Sequence, residues 1–165
     1  MEISLIRSGW EPDPASDIGT HDFVYSILPH KSSRKESQTI KEGYFLNNSL
    51  ITAFIKSKTN AELPESASFI NINAENIVIS AFKPSEFDNA LILRVYEGAG
   101  IGTSVKFRVE FPIYKVDEVN LNETKIYSTV SCENNIFECY MEKYAIKTFK
   151  LYRFSQDHRV QFCKV

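Results

Sequence analysis

From residue 68 onward the pattern of apolar and polar side chains changes to short apolar-rich stretches at close intervals, separated by turn-forming residues. Residues 69–73, 76–81, 90–97, 103–111, 114–121, 137–141 and 144–154 all qualify as strands, in which successive side chains fall on opposite faces. Short strands recurring at roughly 8–12 residues, with turn residues between them, predict a sandwich or barrel.

The first sixty residues have a different texture. Residues 2–7 alternate and predict a strand, and residues 8–20 form a loop dense in Pro and Asp. Residues 21–28 predict a second strand, with Phe23, Tyr25 and Ile27 on one face and Val24 and Ser26 on the other. Pro29 ends it, because proline donates nothing to a ladder. Residues 32–46 are the one helix candidate: Ser32 or Ser33 can cap it, Glu36 completes a capping box, and Ile40 and Tyr44 share a face. Residues 47–66 are polar and read as a linker or exposed excursion. No βα alternation and no internal repeat is present. The expected organisation is a first part over 1–60 and a β-sandwich over 66–165. The fold class is mainly β, antiparallel β-sandwich elements with one short helix.

Composition agrees with a packed β structure. The 165 residues are 43% hydrophobic and 13% aromatic, with twelve Phe and eight Tyr, and such side chains suit a pleated surface. The net charge of -2 is spread without a basic stripe, so no nucleic-acid partner is expected. No apolar run approaches bilayer length, so no membrane partner is expected either. Residues 1–10 show neither a basic nor an apolar signal-peptide region. Three cysteines at irregular spacing, Cys132, Cys139 and Cys163, argue against a disulfide framework and fit a reducing, cytoplasmic setting. The glycosylation sequons at Asn47 and Asn122 carry no weight in that setting.

Residue chemistry offers no complete catalytic set. The Gly-rich run 97–103 leads into a strand rather than a helix N-terminus, so it reads as a hairpin loop and not a phosphate cradle. His21 and Asp22 alternate faces, His30 lies beyond the strand end, and no zinc spacing is present. Cys132 and Cys139 flank a hairpin-like turn and read as packing residues, since neither has a base or a basic setting. Asp117 and Glu118 point to opposite faces, which does not suit a glycosidase carboxylate pair, and read as solvated edge charges. Asp13 and Asp17 are either turn-makers beside proline or a pair presented to one surface. Arg7 and Trp10 border the same loop; an Arg fork and an aromatic face can hold sugar hydroxyls or a partner surface, and can equally be structural.

The block 5–30, LIRSGWEPDPASDIGTHDFVYSILPH, resembles the "L-R-S … P-D-P-x-x-D-x-G-x-H-x-F-x-Y … P-H" block of microbial glycoside hydrolase family 38, the α-mannosidases. EGYFLNNSL resembles that family's A-Y-x-L-N-N-P-L segment. SFININAENIVISAFKPSEFDNALILRVYEGAG, VDEVNLNE and YAIKTFKLYRF are similar to its terminal β-sandwich. The motifs are colinear over most of the chain. The resemblance implies the end of the large central β-sandwich over 1–60 and the terminal sandwich over 66–165. For the complete enzyme it implies retaining hydrolysis of α-mannosides by a carboxylate nucleophile, with zinc holding the sugar. None of the family's zinc ligands or catalytic carboxylates has a matching position here, so this chain carries no catalytic residue, no metal ligand and no cofactor of its own. It implies a catalytic-domain partner, in cis or in trans. Arg7, Trp10, Asp13, Asp17 and His21 are then substrate-proximal or interdomain contacts.

Two other readings stay open at this point. One is a stand-alone carbohydrate-binding or scaffold sandwich, using exposed aromatics drawn from Trp10, Tyr25, Tyr96, Tyr114 and Tyr152. The other is a separately encoded subunit that completes a split mannosidase. Unpaired strand edges in the first part would also favour homo-oligomers.

Overall fold

The structure, a computed structural model, describes residues 3–7, 9, 11–15, 17–31, 33, 39–54 and 64–154. The chain divides into two units, Met1–Ala53 and Phe54–Val165.

In the first unit the helix is α1, Thr39–Asn47. Its C-terminus is closed by side chains: the Asn47 and Asn48 amides donate to the Gly43 and Tyr44 carbonyls at 2.8 and 2.9 Å, satisfying acceptors that a helix end leaves open. The capping positions Ser32 and Glu36 lie outside the described residues. The alternation at 3–7 and 21–28 does not become strand: neither stretch has a ladder partner among the described residues. A strand is a cooperative object and needs a neighbour, which alternation alone does not supply. None of the described residues of this unit is buried.

The second unit holds nine strands: β1 Ile70–Ile72, β2 Ile77–Pro84, β3 Leu91–Glu97, β4 Thr103–Val109, β5 Ile113–Val119, β6 Ile126–Val130, β7 Cys132–Glu133, β8 Ile136–Met141 and β9 Ile146–Arg153. They form two antiparallel sheets, one of four strands in the order β1-β4-β8-β7 and one of five in the order β2-β3-β9-β5-β6. The expected strands are all present. The strands β6 and β7 were not expected, and β6 has no alternation to read, since its residues 126–129 are all exposed on a sheet edge.

The sheets face each other across an apolar core. Phe107 and Phe137, paired across β4 and β8, stack with centroids 4.8 Å apart, and Phe149 of β9 meets both from the opposite sheet at 5.6 and 5.2 Å. All three are essentially inaccessible to solvent. Ile77, Leu93, Val95, Val105, Val109, Ile113, Val116, Met141 and Leu151 surround them, each contributing about 1.5–3 kcal/mol by leaving water.

The turns follow their residues. Asn134 and Asn135, both at positive φ (52° and 61°), make the two-residue β7–β8 turn, a conformation that Asn tolerates. The β5–β6 connection is held by Asn120, whose Oδ1 accepts from the Thr124 and Lys125 amides at 2.8 and 3.0 Å. The Gly-rich run corrects its hairpin reading. It joins β3 to β4, which lie in different sheets, so it is a crossover at one end of the sandwich. Among the described residues no helix is long and apolar enough to cross a membrane.

Candidate functional site

The loop singled out by the sequence is held by local turns. Asp13 Oδ1 accepts from the Ala15 amide at 2.9 Å, an Asx turn of the kind aspartate makes beside proline. The Ile18 amide returns to the Ala15 carbonyl at 3.2 Å. His21 Nε2 lies 3.0 Å from the Asp17 carbonyl oxygen, so the ring meets the backbone of Asp17 and not its carboxylate. The same ring stacks on Phe23, with centroids 6.2 Å apart and planes 15° apart. The structure therefore brings Asp17 and His21 together and uses Asp13 within its own turn. Arg7 is exposed, and no ion pair joins it to either aspartate among the described residues. Trp10 lies outside the described residues. No group of three or more His, Cys, Asp or Glu side chains suited to a metal occurs among the described residues.

In the second unit the charged groups brace the sandwich. Glu97, 2% exposed, ends β3 and takes hydrogen bonds from four directions. The Ala99 and Gly100 amides donate at 2.7 Å each, the Tyr144 amide at 2.9 Å and the Asn76 side chain at 3.0 Å. Burial alone would raise its carboxyl, but these donors outweigh it and hold the pKa at about 2. The carboxylate thus clamps the Gly-rich crossover to the turn between β8 and β9. A Cβ at Gly100, where φ is +72°, would run into the Tyr144 hydroxyl, so glycine is required there both for its conformation and for the space.

Asp117 corrects its expected place at a solvated edge. Strand β5 is an interior strand, between β9 and β6, and Asp117 is inaccessible to solvent. It accepts from Lys115 at 2.6 Å and from Thr129 at 2.7 Å, with the Tyr152 hydroxyl as a further donor. Burial pushes its carboxyl up, and these three donors bring it below the ordinary value. Tyr152 moves the other way, pushed to about 12 by burial and then by Asp117. Next to this group Lys150 pairs with Asp88 at 2.6 Å, and elsewhere in the unit Lys83 pairs with Glu123 at 2.8 Å. Asp117 and Glu118 do face opposite ways, Glu118 pairing with Lys147 at 2.9 Å, so no carboxylate pair flanks a common point.

Cys132 and Cys139 are both free thiols. Burial raises Cys132, and it pushes Cys139 to about 11, so neither is a thiolate nucleophile at neutral pH. Both pack against the core, as expected; Cys163 lies outside the described residues. The sequence reading did not single out Glu97 as a clamp. Its signal was a carboxylate at the end of a buried strand next to glycines, whose amides can approach closely.

Comparison with known proteins matches this sandwich to one family. Residues 76–149, from the start of β2 into β9, match the description "Glycosyl hydrolases family 38 C-terminal beta sandwich domain". Over 90% of the chain the sequence is 34% identical to alpha-mannosidase G of Dictyostelium discoideum, of which it covers 14%. It is 28% identical to alpha-mannosidase 2C1 of Homo sapiens over 68% of the chain, and 25% identical to the alpha-mannosidase of Saccharomyces cerevisiae over 92%. The chain spans only 11% and 16% of the length of those two relatives. The colinear motifs, the two-sheet fold and these matches agree: the chain belongs to glycosyl hydrolase family 38, of which it carries the C-terminal β portion.

Proposed function

We propose that the complete protein is an α-mannosidase acting by zinc-assisted retaining hydrolysis, and that this chain supports that chemistry without performing it. The observation that carries the reading is the 34% identity to an alpha-mannosidase over 90% of the chain. The described residues do not fit a zinc site, so a metal in the complete enzyme would be held elsewhere, and no step is assigned to it here.

The role of this chain is to pack against a catalytic domain and to present Arg7, Trp10, Asp13, Asp17 and His21 at or near the substrate. The apolar residues of 3–7 and 21–28 support this. Ile3, Leu5, Phe23, Tyr25 and Ile27 are 46–64% exposed, an arrangement that gains free energy only when a neighbouring sheet covers and pairs it.

The test uses an antibody against this chain to isolate the native protein from source extract. A species several-fold heavier than 18.9 kDa that cleaves aryl α-mannosides, loses activity to a chelator and regains it with zinc is expected. The 165-residue chain alone is expected to be inactive. A native species of 18.9 kDa with no mannosidase partner would overturn the proposal in favour of a stand-alone binding or scaffold sandwich. A separate catalytic chain that co-purifies would place the partner in trans.

A further inference from the structure

The β2–β3 loop, residues 85–90, is tied down along its whole length and ends in an exposed ring. Pro84 closes β2, and the Ser85 amide donates to the Ala90 carbonyl at 2.9 Å to form the neck. Side chains then fix the steps between. Ser85 Oγ accepts from the Phe87 amide at 3.3 Å, and Asp88 Oδ1 accepts from the Ala90 amide at 3.1 Å, turns of the kind that Ser and Asp make. Arg153, at the end of β9, donates Nε to the Asn89 carbonyl at 3.3 Å.

The loop is also held from across the sheet. Glu123, buried in the β5–β6 connection, accepts from the Glu86 amide at 3.0 Å and from Lys83 at 2.8 Å. It does so at φ 63°, a backbone conformation that costs a residue with a Cβ free energy. Strain of this kind persists where the surroundings impose it, and it collects at working sites. Here it keeps one loop in one shape.

That shape presents Phe87. Its ring is 63% exposed, pairs with no ring and no cation among the described residues, and lies outside the core cluster. Glu86 and Asp88 flank it with exposed side chains, whereas their cations, Lys83 and Lys150, are set back from solvent. The loop itself contains no Lys or Arg. Its tip is an apolar plug between two outward carboxylates, with little conformational freedom left to lose on docking.

The chemistry of the plug selects its counterpart. A convex tip encloses no small molecule. An anionic membrane or a nucleic-acid backbone would meet the two carboxylates, and so would the same tip of a second copy. A protein surface with an apolar socket rimmed by Lys or Arg satisfies the ring and the carboxylates together.

We propose that Phe87 is a docking anchor, seated in such a socket on the part of the complete polypeptide that lies outside this chain. The choice of occupant rests on the α-mannosidase reading, in which the chain spans only 14% of its Dictyostelium discoideum relative. A socket on the same polypeptide meets the loop at a high effective concentration, and seating the ring fixes the terminal sandwich against the body of the enzyme.

The test compares hydroxyl-radical oxidation of Phe87 in the 165-residue chain and in the native protein isolated with the antibody, each normalised to free phenylalanine. Phe87 is expected to oxidise readily in the 165-residue chain and several-fold more slowly in the native protein. Phe87→Ala should leave the urea midpoint of the 165-residue chain unchanged, since the ring packs on no core there, and should lower the unfolding temperature of the native protein. Glu86→Lys should increase Phe87 oxidation in the native protein by repelling the basic rim. Slow oxidation in the 165-residue chain, equal rates in the two species, or a native protein indifferent to Phe87→Ala would each overturn the anchor. Glu86→Lys without effect would overturn the basic rim, and a native species of 18.9 kDa would overturn the occupant. The mannosidase assay on the same preparation reads the enzyme proposal separately, so a heavy, zinc-dependent mannosidase with an open Phe87 sinks the anchor alone.

Discussion

The Tyr144 amide donates to the Glu97 carboxylate at 2.9 Å although 47 residues separate them. That bond closes a clamp in which one buried carboxylate holds the Gly-rich crossover and the β8–β9 turn together. The Glu97 pKa of about 2 stands against an ordinary 4.5. Above about 4.5 the group is ionised in both folded and unfolded chains, and its stabilisation is complete. As pH falls from 4.5 toward 2, the unfolded chain takes up a proton that the folded chain refuses, and the contribution is lost. The shift corresponds to about 3 kcal/mol. Urea unfolding as a function of pH should show this loss in the parent. Glu97→Gln should be less stable at pH 7 by a similar amount and should show a flatter profile between pH 4.5 and 2. An unchanged profile in the variant would sink the clamp.

Asp117 gives a second prediction with an optical readout. Asp117→Asn removes the charge that, after burial, raises Tyr152. The Tyr152 phenol, now near 12, should ionise at lower pH in the variant, visible in the ultraviolet difference spectrum. The exchange should destabilise the fold by about 1–3 kcal/mol, the range for hydrogen bonds to a buried charged group. A variant as stable as the parent, with an unmoved phenol, would show that the Asp117 contacts are not energetically coupled to Tyr152.

Gly100 and Tyr144 should behave as a coupled pair. Gly100→Ala forces a side chain into positive φ, at about 1–2 kcal/mol, and also into the Tyr144 hydroxyl. Tyr144 itself sits at φ 58°, so Tyr144→Gly relieves strain as well as making room. In the Tyr144→Gly background the cost of Gly100→Ala should shrink to the backbone part alone. Strict additivity in the thermodynamic cycle would mean that the two residues do not compete for that space.

Hydrogen exchange separates the two units. In the 165-residue chain, amides of β3 and β9, central to the five-stranded sheet, should exchange slowest, and those of 3–7 and 21–28 fastest. If the proposed catalytic domain is present and a neighbouring sheet covers them, the latter two stretches should become protected. Protection of 3–7 and 21–28 in a dilute monomer of the 165-residue chain would contradict their description as unpaired.

Much of the sandwich was legible because its strands bury one face and solvate the other. At β4 the residues alternate fully, with Val105, Phe107 and Val109 inside and Ser104, Lys106 and Arg108 outside. Strand β6 was illegible for the opposite reason, since an exposed edge exerts no selection for alternation. The Gly-rich crossover was misread because strand–glycine–strand looks the same locally whether the next strand pairs with the last one or passes to the other sheet. Asp117 was misplaced because what buries it, Thr129 and Tyr152, is brought near only by strand pairing. In the 5–30 loop the colinear motifs identified the family, yet the contacts of Asp13 and His21 are local turns and do not disclose what that loop meets.

Strand β9 is the last of the described strands to be synthesised, yet it lies in the middle of its sheet and pairs with β3 and β5 on its two sides. A chain leaving the ribosome therefore holds β2–β3 and β5–β6 as two separate hairpins, each with an open inner edge, until residues 146–153 emerge. The central aromatic cluster is also incomplete, because Phe149, the third of its rings, arrives with that strand. The sandwich is in this sense a latch thrown only when its central strand emerges, and nascent chains stalled before residue 146 are the species most exposed to chaperone capture or edge-to-edge aggregation.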